Sequence, residues 1–304
     1  MKVLLTGASG FVGSSLLKML INKKQKVSVV VRNHLQINSS IEQIQVNEIN
    51  SKTNWSEITG YSIVIHCAGS AHGKGLDTLE HFREINTNGT LHLAKEAFKK
   101  GMQRFIFISS IGVNGSKTNK PFTEDSVPSP CSDYARSKHE AERGLTKLAT
   151  ELGFELVIIR PPLVYGASAP GNFGKLVKMV SKVPLLPFAL SKNARSFISV
   201  NNLSDFIYQC AINPKAAGEL FLISDGKDLS IKELTNLIAN GLGEKRYQIP
   251  LPLNALKWVA KILGKEQLAS QLLDDLQIDS SKSFQVLGWI PPEETSMAFK
   301  KIRE

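Results

Sequence analysis

The sequence predicts an α/β protein built on a doubly wound parallel sheet, with a smaller lobe in the C-terminal part of the chain. Three observations predict this fold. The chain opens with a short apolar run and a glycine-rich turn, MKVLLTGASGFVG. Short apolar runs then alternate with helical segments through the first half of the chain. After Arg160 the alternation gives way to PPLVYGASAPGNF, whose Pro, Gly and small residues indicate a less regular second lobe.

The opening segment has the order strand, glycine turn, helix. Val3, Leu4 and Leu5 form the apolar run, and glycines follow at three-residue spacing at Gly7, Gly10 and Gly13. The next segment places Leu16, Leu17, Leu20 and Ile21 on one helical face. Glycines let the backbone approach a phosphate, and the free N–H groups and dipole of a helix N-terminus favour its negative charge. The context predicts dinucleotide binding, with an ordinary strand-to-helix turn as the alternative.

The remaining elements follow from the same reading. Buried parallel strands are predicted at Lys26–Val31, Ile63–His66, Phe105–Ser109 and Leu156–Arg160. Helices are predicted at Thr90–Lys99, Ser137–Leu152, Ile231–Ala239 and Leu253–Leu263. We place a dinucleotide-binding domain at 1–165, with 195–225 returning to the sheet, and a substrate-binding lobe at 166–304.

Composition narrows the class of protein. The chain has 304 residues, is 42% hydrophobic and has no apolar run of the roughly 18 residues that a membrane span needs. Three widely spaced cysteines fit reduced thiols and a cytoplasmic enzyme, and no metal-ligand spacing is present, so no metal is expected. The net charge of +10 lacks an aromatic-interleaved basic stripe, which argues against nucleic acid. It fits a phosphorylated ligand and leaves peripheral contact with an anionic membrane open.

A tyrosine and a lysine form the candidate catalytic pair. Tyr134 and Lys138 are four residues apart, so a helix places them on one face. A phenol with a pKa of about 10 is a poor base at neutral pH. A neighbouring ammonium and a positive nicotinamide ring would lower that pKa. Ser109 and Ser110 end the preceding strand, where a hydroxyl could bridge Tyr134 and a substrate oxygen. A chance pair on a surface helix is the alternative.

Taken together, the motifs resemble the extended short-chain dehydrogenase/reductases, in particular the NAD(P)-dependent nucleotide-sugar epimerase/dehydratase family. The matching segments are Thr6 to Gly13, Val64 to Ala68, Asn86 to Thr90, Ser109 to Gly115, Tyr134 to Lys138, Arg160 to Gly166, Arg195 to Leu203 and Ser281 to Pro291. They span nearly the whole chain and imply the Rossmann fold.

The resemblance also implies roles for individual residues. Tyr134 would be the acid/base, Lys138 would hold the nicotinamide ribose, Ser110 would orient the substrate hydroxyl with Ser109 as the fallback, and Asn86 would stabilise the active-site helix. Asn172 and Arg195 would face the diphosphate of the substrate. The cofactor would be held by Gly7, Ser9, Gly10, Phe11, Val12, Gly13, Arg32, Cys67, Ala68, Gly69, Lys138 and Pro161.

Two residues depart from the family pattern. Arg32 follows the second strand where an NAD site usually presents an acidic residue to the ribose 2′-hydroxyl, and this cation favours NADP over NAD. Asn114 stands where many members have the tyrosine of Val-Tyr-Gly, which puts a detail of sugar packing in doubt. Cys67 closes an apolar strand and is interpreted as core packing beside the cofactor rather than as a nucleophile.

The resemblance implies hydride transfer at C4 of a nucleotide sugar, with a UDP-linked sugar as the expected substrate. Arg32 favours a 4-ketoreductase of surface-polysaccharide sugar synthesis that consumes NADPH. A UDP-hexose or UDP-N-acetylhexosamine 4-epimerase with tightly bound NAD is the alternative. A lipid-diphosphate-linked sugar, an apolar ketone substrate and a non-catalytic cofactor-sensing protein remain further alternatives. The resemblance also implies a homodimer formed through the helices that carry Asn86 and Tyr134.

Overall fold

The computed structural model describes residues 2–71, 78–262, 264 and 266–303. The strands are β1 (Lys2–Thr6), β2 (Lys26–Val31), β3 (Gln43–Gln45), β4 (Ile63–His66), β5 (Arg104–Ile108), β6 (Glu155–Arg160), β7 (Leu163–Tyr165), β8 (Leu185–Leu186), β9 (Phe197–Ser199), β10 (Leu220–Leu222) and β11 (Tyr247–Gln248). The α-helices are α1 (Phe11–Asn22), α2 (Leu79–Phe82), α3 (Thr90–Lys99), α4 (Asp133–Leu152), α5 (Gly171–Lys182), α6 (Val200–Ile212), α7 (Ile231–Leu242), α8 (Leu253–Ile262), α9 (Glu266–Leu273), α10 (Ser281–Leu287) and α11 (Thr295–Lys300). A π-helical segment covers Arg83–Gly89.

The central sheet is parallel and has the order β10-β6-β5-β4-β1-β2-β3. Strand order reverses at β1, which pairs with β2 on one side and β4 on the other. Ligands of open α/β sheets bind beyond the carboxyl ends of the strands at such a switch point. The predicted doubly wound fold is confirmed.

Both faces of the sheet are covered, as expected for strands that are apolar on both sides. Leu5 and Ile106 face a core formed with α1 and α6, which contributes Phe206. Leu4 and Phe105 face a core formed with α3 and α4. Alternate residues of each strand therefore serve opposite cores, because successive side chains of a strand point to opposite faces.

A separate apolar core lies in the C-terminal lobe. It is built from residues of α5, α7 and α11 around the buried ring of Tyr165, which stacks on Phe299 with ring centroids 4.3 Å apart. The short pairs β7–β9 and β8–β11 flank this core. β10 pairs with β6 at the edge of the main sheet. The boundary drawn at residue 165 stays a prediction.

Some elements differ from their predicted bounds for local reasons. α1 begins at Phe11, so Gly13 lies inside the helix rather than before it. α4 begins at Asp133 instead of Ser137, because the Ser132 hydroxyl caps it by accepting the Ala135 N–H at 3.2 Å. Within the described ranges, no helix combines the length and apolarity needed to cross a bilayer.

Candidate active site

The glycine turn is fixed by close backbone contacts with the neighbouring strand end. Gly7 has φ +76°, and a Cβ there would lie 2.7 Å from the Ala68 nitrogen. A Cβ on Gly13 would lie 2.1 Å from the Gly7 carbonyl oxygen. Both approaches exclude any side chain, so the glycines are required by packing. The turn follows β1 and packs against the backbone that follows β4, at the switch point of the sheet.

The start of α1 fits a pyrophosphate. Its N-cap residue is Gly10, no side chain caps it, and its first turn has no acidic residue. The first N–H groups and the positive end of the helix dipole are thus left for an anion. Ser9 is exposed on the turn, and Val12 packs partly against the sheet core. Phe11 is half-buried and packs against the core of the C-terminal lobe.

The end of β4 brings the cofactor loop to the catalytic helix. A Cβ on Gly69 would lie 3.0 Å from Asn86 Oδ1 and 3.3 Å from Lys138 Nζ. Asn86 is fully buried, accepts the Ser70 N–H at 2.8 Å and donates to the Ser70 carbonyl at 2.9 Å. It also donates to the Ser137 hydroxyl at 3.0 Å. Asn86 therefore ties the loop after β4 to α4.

Asn86 lies in the π-helical segment Arg83–Gly89. Segments of this kind are rare and concentrate at functional sites, where they shift one residue out of the regular helical register. Here the Thr87 hydroxyl donates to the Ser137 carbonyl at 2.8 Å, so two successive side chains both reach α4. The segment is continuous with α3, which begins at Thr90.

His66 makes a second connection between the same parts. Its Nδ1 lies 2.7 Å from the Thr6 hydroxyl and its Nε2 lies 2.9 Å from the Thr90 hydroxyl. The Thr90 hydroxyl donates to the Asn86 carbonyl, so it accepts from Nε2–H. Burial, with a smaller contribution from Lys138, lowers the pKa of His66 to about 3, so the ring is neutral and Nδ1 accepts from Thr6. Thr6 in turn accepts the Ala68 N–H at 3.3 Å.

Lys138 is buried with its ammonium turned towards the sheet. Nζ donates to the Ile108 carbonyl at 2.9 Å and lies 4.5 Å from the centroid of the Phe107 ring. Burial lowers the pKa of Lys138 to about 8, against smaller opposing effects of Cys67 and Glu142. A buried ammonium held beside Gly69 is placed to donate to a cofactor group at this loop.

Tyr134 lies in the first turn of α4, one helical turn before Lys138. Its ring meets Phe82 edge to face, with centroids 6.2 Å apart. Burial raises the pKa of Tyr134 to about 12. No described residue lowers this pKa, so the predicted effect of Lys138 is not seen. The phenol is therefore neutral at pH 7 unless another positive charge approaches it.

The two serines after β5 have different surroundings. Ser110 lines the cleft described below, and its hydroxyl accepts the Gly112 N–H at 3.1 Å. The Ser109 hydroxyl is buried, and no described residue forms a hydrogen bond with it. Ser110 and Tyr134 therefore both line the cleft, whereas Ser109 is not among its lining residues, and the role of Ser110 stays a prediction.

Replacing Ser110 with Ala is expected to lower kcat by about 10- to 100-fold, the loss of one hydrogen bond that strengthens in the transition state. Ser109→Ala is the matched control and is expected to change kcat by less than about threefold. Steady-state turnover of the substrate measures both. An equal loss in the two variants would show that the fallback serine shares the role.

A cleft of about 1060 Å³ opens between the sheet and the C-terminal lobe. Ser110 and Tyr134 line it from the sheet side, and Asn172 and Arg195 line it from the other lobe. Four candidate residues that are far apart in sequence are therefore brought into one cavity. Asn172 lies at the start of α5 and its amide donates to the Gln271 side chain.

Arg195 lies among both basic and acidic side chains, since two lysines line the same cleft and Asp274 and Asp275 partly offset the effect of burial on its pKa. Its Nη1 donates to the Asp274 carbonyl at 2.7 Å, and the described residues supply no acceptor for Nε and Nη2. Burial lowers the pKa of Arg195 to about 10, so the guanidinium remains charged at neutral pH. Lys257 and Lys261 line the same cleft, where Lys257 pairs with Asp274 at 2.6 Å. This part of the cleft can bind a diphosphate.

Arg32 is exposed at the carboxyl end of β2, and no described residue pairs with its guanidinium. Cys67 is half-buried, and burial raises the pKa of its thiol to about 12, which supports the interpretation as packing. The Pro161 carbonyl accepts the Ile111 N–H at 3.0 Å, so its strand end is tied to the loop after β5. The roles assigned to these residues stay predictions.

Asn114, which departs from the family pattern, forms its contacts in the protein interior. Asn114 is buried, and its side-chain oxygen accepts from Arg160 Nη1 at 2.9 Å. Arg160 also forms a buried ion pair with Glu142, with Nε and Oε1 2.9 Å apart. Asn114 therefore serves the buried arginine and is not among the residues that line the cleft, and its consequence for sugar packing stays a prediction.

Several site residues were missed from the sequence. Ser70, Thr90 and Ser137 hold Asn86 and His66. Ser137 lies inside the Tyr-Ala-Arg-Ser-Lys motif and Thr90 ends the segment Asn86 to Thr90, whereas Ser70 had no signal. Lys257, Trp258 and Lys261 of α8 also line the cleft and were not predicted as site residues. Leu253 and Leu256 of the same helix pack against the lobe core. Grouped metal-binding side chains are not found within the described ranges.

Comparison with known proteins defines the class. Residues 3–224 match the profile of the NAD dependent epimerase/dehydratase family. The UDP-glucose 4-epimerase of Vibrio cholerae is 40% identical over 306 residues, which cover 98% of this chain and 93% of the relative. The chain therefore belongs to the NAD dependent epimerase/dehydratase family, as the motifs predicted.

A second relative and a solved structure are also similar to this chain over most of their length. An Escherichia coli O157:H7 protein named N-acetyl-alpha-D-glucosaminyl-diphospho-ditrans,octacis-undecaprenol 4-epimerase is 27% identical, covering 89% of this chain and 83% of the relative. The crystal structure of UDP-N-acetylglucosamine 4-epimerase from Bacillus cereus superposes with a TM-score of 0.80 at 18% identity, covering 99% of this chain and 98% of the other. At that identity the superposition shows the Rossmann fold alone.

Proposed function

We propose that this enzyme catalyses nicotinamide-dependent redox chemistry at C4 of a UDP-linked hexose, and that the net reaction is 4-epimerisation. The carrying observation is one cleft lined by Tyr134 and Ser110 on one side and by Arg195 on the other. The hydroxyls can exchange a proton with a sugar, and the guanidinium can bind its diphosphate. The name and high coverage of the Vibrio cholerae relative support epimerisation over net reduction.

The chain's residues divide the work. The Gly7–Gly13 turn and α1 would hold the pyrophosphate, and Lys138 would hold the ribose beside Gly69. When bound, a nicotinamide cofactor accepts or returns hydride at the sugar C4 and, when oxidised, adds a positive charge near the phenol. Tyr134 takes the C4 hydroxyl proton as the alcohol becomes a ketone and returns it when the ketone is reduced. Ser110 keeps the C4 oxygen in reach of Tyr134.

Epimerisation requires the ketone to turn over before hydride returns to its other face. A cleft of about 1060 Å³ has room for a hexose to rotate about its diphosphate. Arg195, Lys257 and Lys261 would keep the diphosphate bound during that rotation. Tyr134 returns the proton that it took from the C4 hydroxyl, so it ends the cycle in the protonation state in which it began.

The test is turnover of UDP-galactose and UDP-N-acetylgalactosamine by the purified full-length enzyme, with products resolved by NMR. Epimerisation is expected without net change in the absorbance of reduced cofactor. Extraction of the protein should release near-stoichiometric nicotinamide dinucleotide. No product from either sugar, with cofactor bound and the protein folded, would overturn the proposal.

A 4-ketoreductase is the second candidate, and exposed Arg32 is the observation that favours it. A free guanidinium beyond β2 suits the 2′-phosphate of NADPH, which net reduction normally uses. A neutral Tyr134 is also ready to donate a proton to a ketone. This reaction would consume NADPH in equal amount to a UDP-4-keto sugar, so loss of absorbance separates it from epimerisation.

Replacing Arg32 with Ala tests cofactor choice. If Arg32 binds the 2′-phosphate, the variant is expected to lose about 10- to 100-fold in NADPH affinity with little change for NADH. Arg143→Ala, which removes another exposed arginine, is the control. Fluorescence titration of both cofactors measures the effect. Equal affinities for NADH and NADPH in the wild type would rule out the NADP preference.

The homodimer through the helices that carry Asn86 and Tyr134 and the cytoplasmic location stay predictions.

A further inference from the structure

The outward side of α8 is apolar where a solvated helix is normally charged. Leu253 and Leu256 pack into the core of the C-terminal lobe, which fixes the inward side of the helix. Trp258 and Ile262 lie one turn apart on the opposite side and are 66% and 63% exposed. Large apolar side chains grouped in this way mark an interaction surface more often than a solvated one.

Further exposed apolar side chains lie on and beside the β8–β11 pair, which belongs to the same lobe. Leu185 and Tyr247 are register partners in the β8–β11 pair, and Tyr247 is 65% exposed. The Tyr247 N–H donates to the Pro184 carbonyl at 2.9 Å, so the two segments are held side by side. α8 follows β11 after a short connection. We define the lobe face as the exposed side chains of these segments: Leu185, Leu190, Tyr247, Leu251, Trp258 and Ile262.

The same segments are strongly basic. Residues 182–192 and 244–262 contain one carboxylate, Glu244. Their basic residues are Lys182, Lys192, Lys245, Arg246, Lys257 and Lys261, of which Arg246 pairs with Glu244 and Lys257 pairs with Asp274. A second copy of this chain docking through the same face would bring two such positive surfaces together, and like charges repel. The charge instead complements an anionic surface.

We propose that the lobe face docks on the surface of an anionic lipid bilayer. Tyr and Trp rings are suited to the headgroup level, since each has an apolar body and a polar group. Ile262 and Leu251 would enter the boundary with the acyl chains, and Lys182, Lys192 and Lys245, which do not line the cleft, would meet lipid phosphates. This is peripheral attachment, in which the helix lies in the plane of the interface.

Docking would also position the cleft. Lys257, Trp258 and Lys261 belong to α8 and line the cleft at the same time. Attachment through α8 therefore places the opening of the cleft beside the bilayer, where a sugar diphosphate carried on a lipid could enter. This consequence for the substrate rests on the proposed function, whereas the docking itself does not.

The experiment is flotation of the full-length protein with vesicles of phosphatidylcholine alone and of equal parts phosphatidylcholine and phosphatidylglycerol. Binding is expected only to the anionic vesicles and is expected to fall as salt is added. The double variant Tyr247→Ser/Ile262→Ser is expected to lower the partition coefficient by about tenfold or more. The control Phe284→Ser/Ile290→Ser removes two comparably exposed apolar side chains, 59% and 66% exposed, and is expected to bind as the wild type does.

Three results would overturn the proposal. They are no flotation of the wild type with anionic vesicles, wild-type flotation of Tyr247→Ser/Ile262→Ser, and a self-association in sedimentation that this variant abolishes. Tyr247 and Ile262 do not line the cleft, so turnover of soluble UDP-sugars should be unchanged in the variant. Vesicle binding without turnover of any UDP-sugar would contradict the proposed function alone, and turnover without vesicle binding would contradict the docking alone.

Discussion

Replacing Tyr134 with Phe is expected to lower kcat by about 10²- to 10⁴-fold while the protein still folds and binds its cofactor. The ring lies edge to face with Phe82, a contact that phenylalanine keeps. The substitution removes only the hydroxyl, which is the group placed to exchange a proton in the cleft. Steady-state turnover of the UDP-sugar, together with cofactor affinity and Tm, measures the effect.

Tyr208→Phe is the matched control, because Tyr208 lies on α6 and packs against the sheet core away from the cleft. Its kcat is expected to stay within about twofold of the wild type. A Tyr134→Phe enzyme with more than about a tenth of wild-type kcat would show that another group moves the proton.

Replacing Lys138 with Met is expected to lower activity by about 10²-fold and to raise the free energy of unfolding. Burial lowers the pKa of this ammonium to about 8, from 10.5, so keeping it charged at pH 7 costs roughly 2–4 kcal/mol. Methionine removes that cost and loses the hydrogen bond to the Ile108 carbonyl. The net gain at pH 7 is expected to be about 1–3 kcal/mol.

The stability gain has a definite pH dependence. Between about pH 8 and 10.5 the unfolded chain holds the Lys138 proton and the folded chain has released it, so wild-type stability rises with pH in this window. The advantage of Lys138→Met should therefore be largest below pH 8 and shrink above it. Urea unfolding at pH 7 and pH 9.5 measures this, with the exposed Lys147→Met as control. A constant difference between wild type and variant at both pH values would contradict the burial cost.

Much of the fold was predictable because its signals are local. Apolar runs with polar borders gave the observed bounds of β2 and β4, and helical periodicity gave those of α3. The short β3 was not predicted, since Gln43–Gln45 has one apolar residue and owes its conformation to pairing with β2. The start of α4 depended on a cap at Ser132, which lies outside the apolar pattern.

The site was predictable where motifs carry it and not where tertiary contacts do. Ser110, Tyr134 and Arg195 were proposed from motifs, and the structure brings them into one cleft. The direction of the Tyr134 pKa shift could not be predicted, because it depends on how deeply the folded protein buries the phenol. The partners of His66 were equally hidden, since Thr6 and Thr90 lie 60 and 24 residues away.

The order of strands in the sheet has a consequence for synthesis. β1 leaves the ribosome first and lies inside the sheet, and every later strand of the sheet pairs with one that precedes it in the chain. β10 comes last and occupies an outer edge. No strand has to insert between two that are already paired. During synthesis, each new strand can therefore be added at an edge of the existing sheet without disrupting an earlier strand pairing.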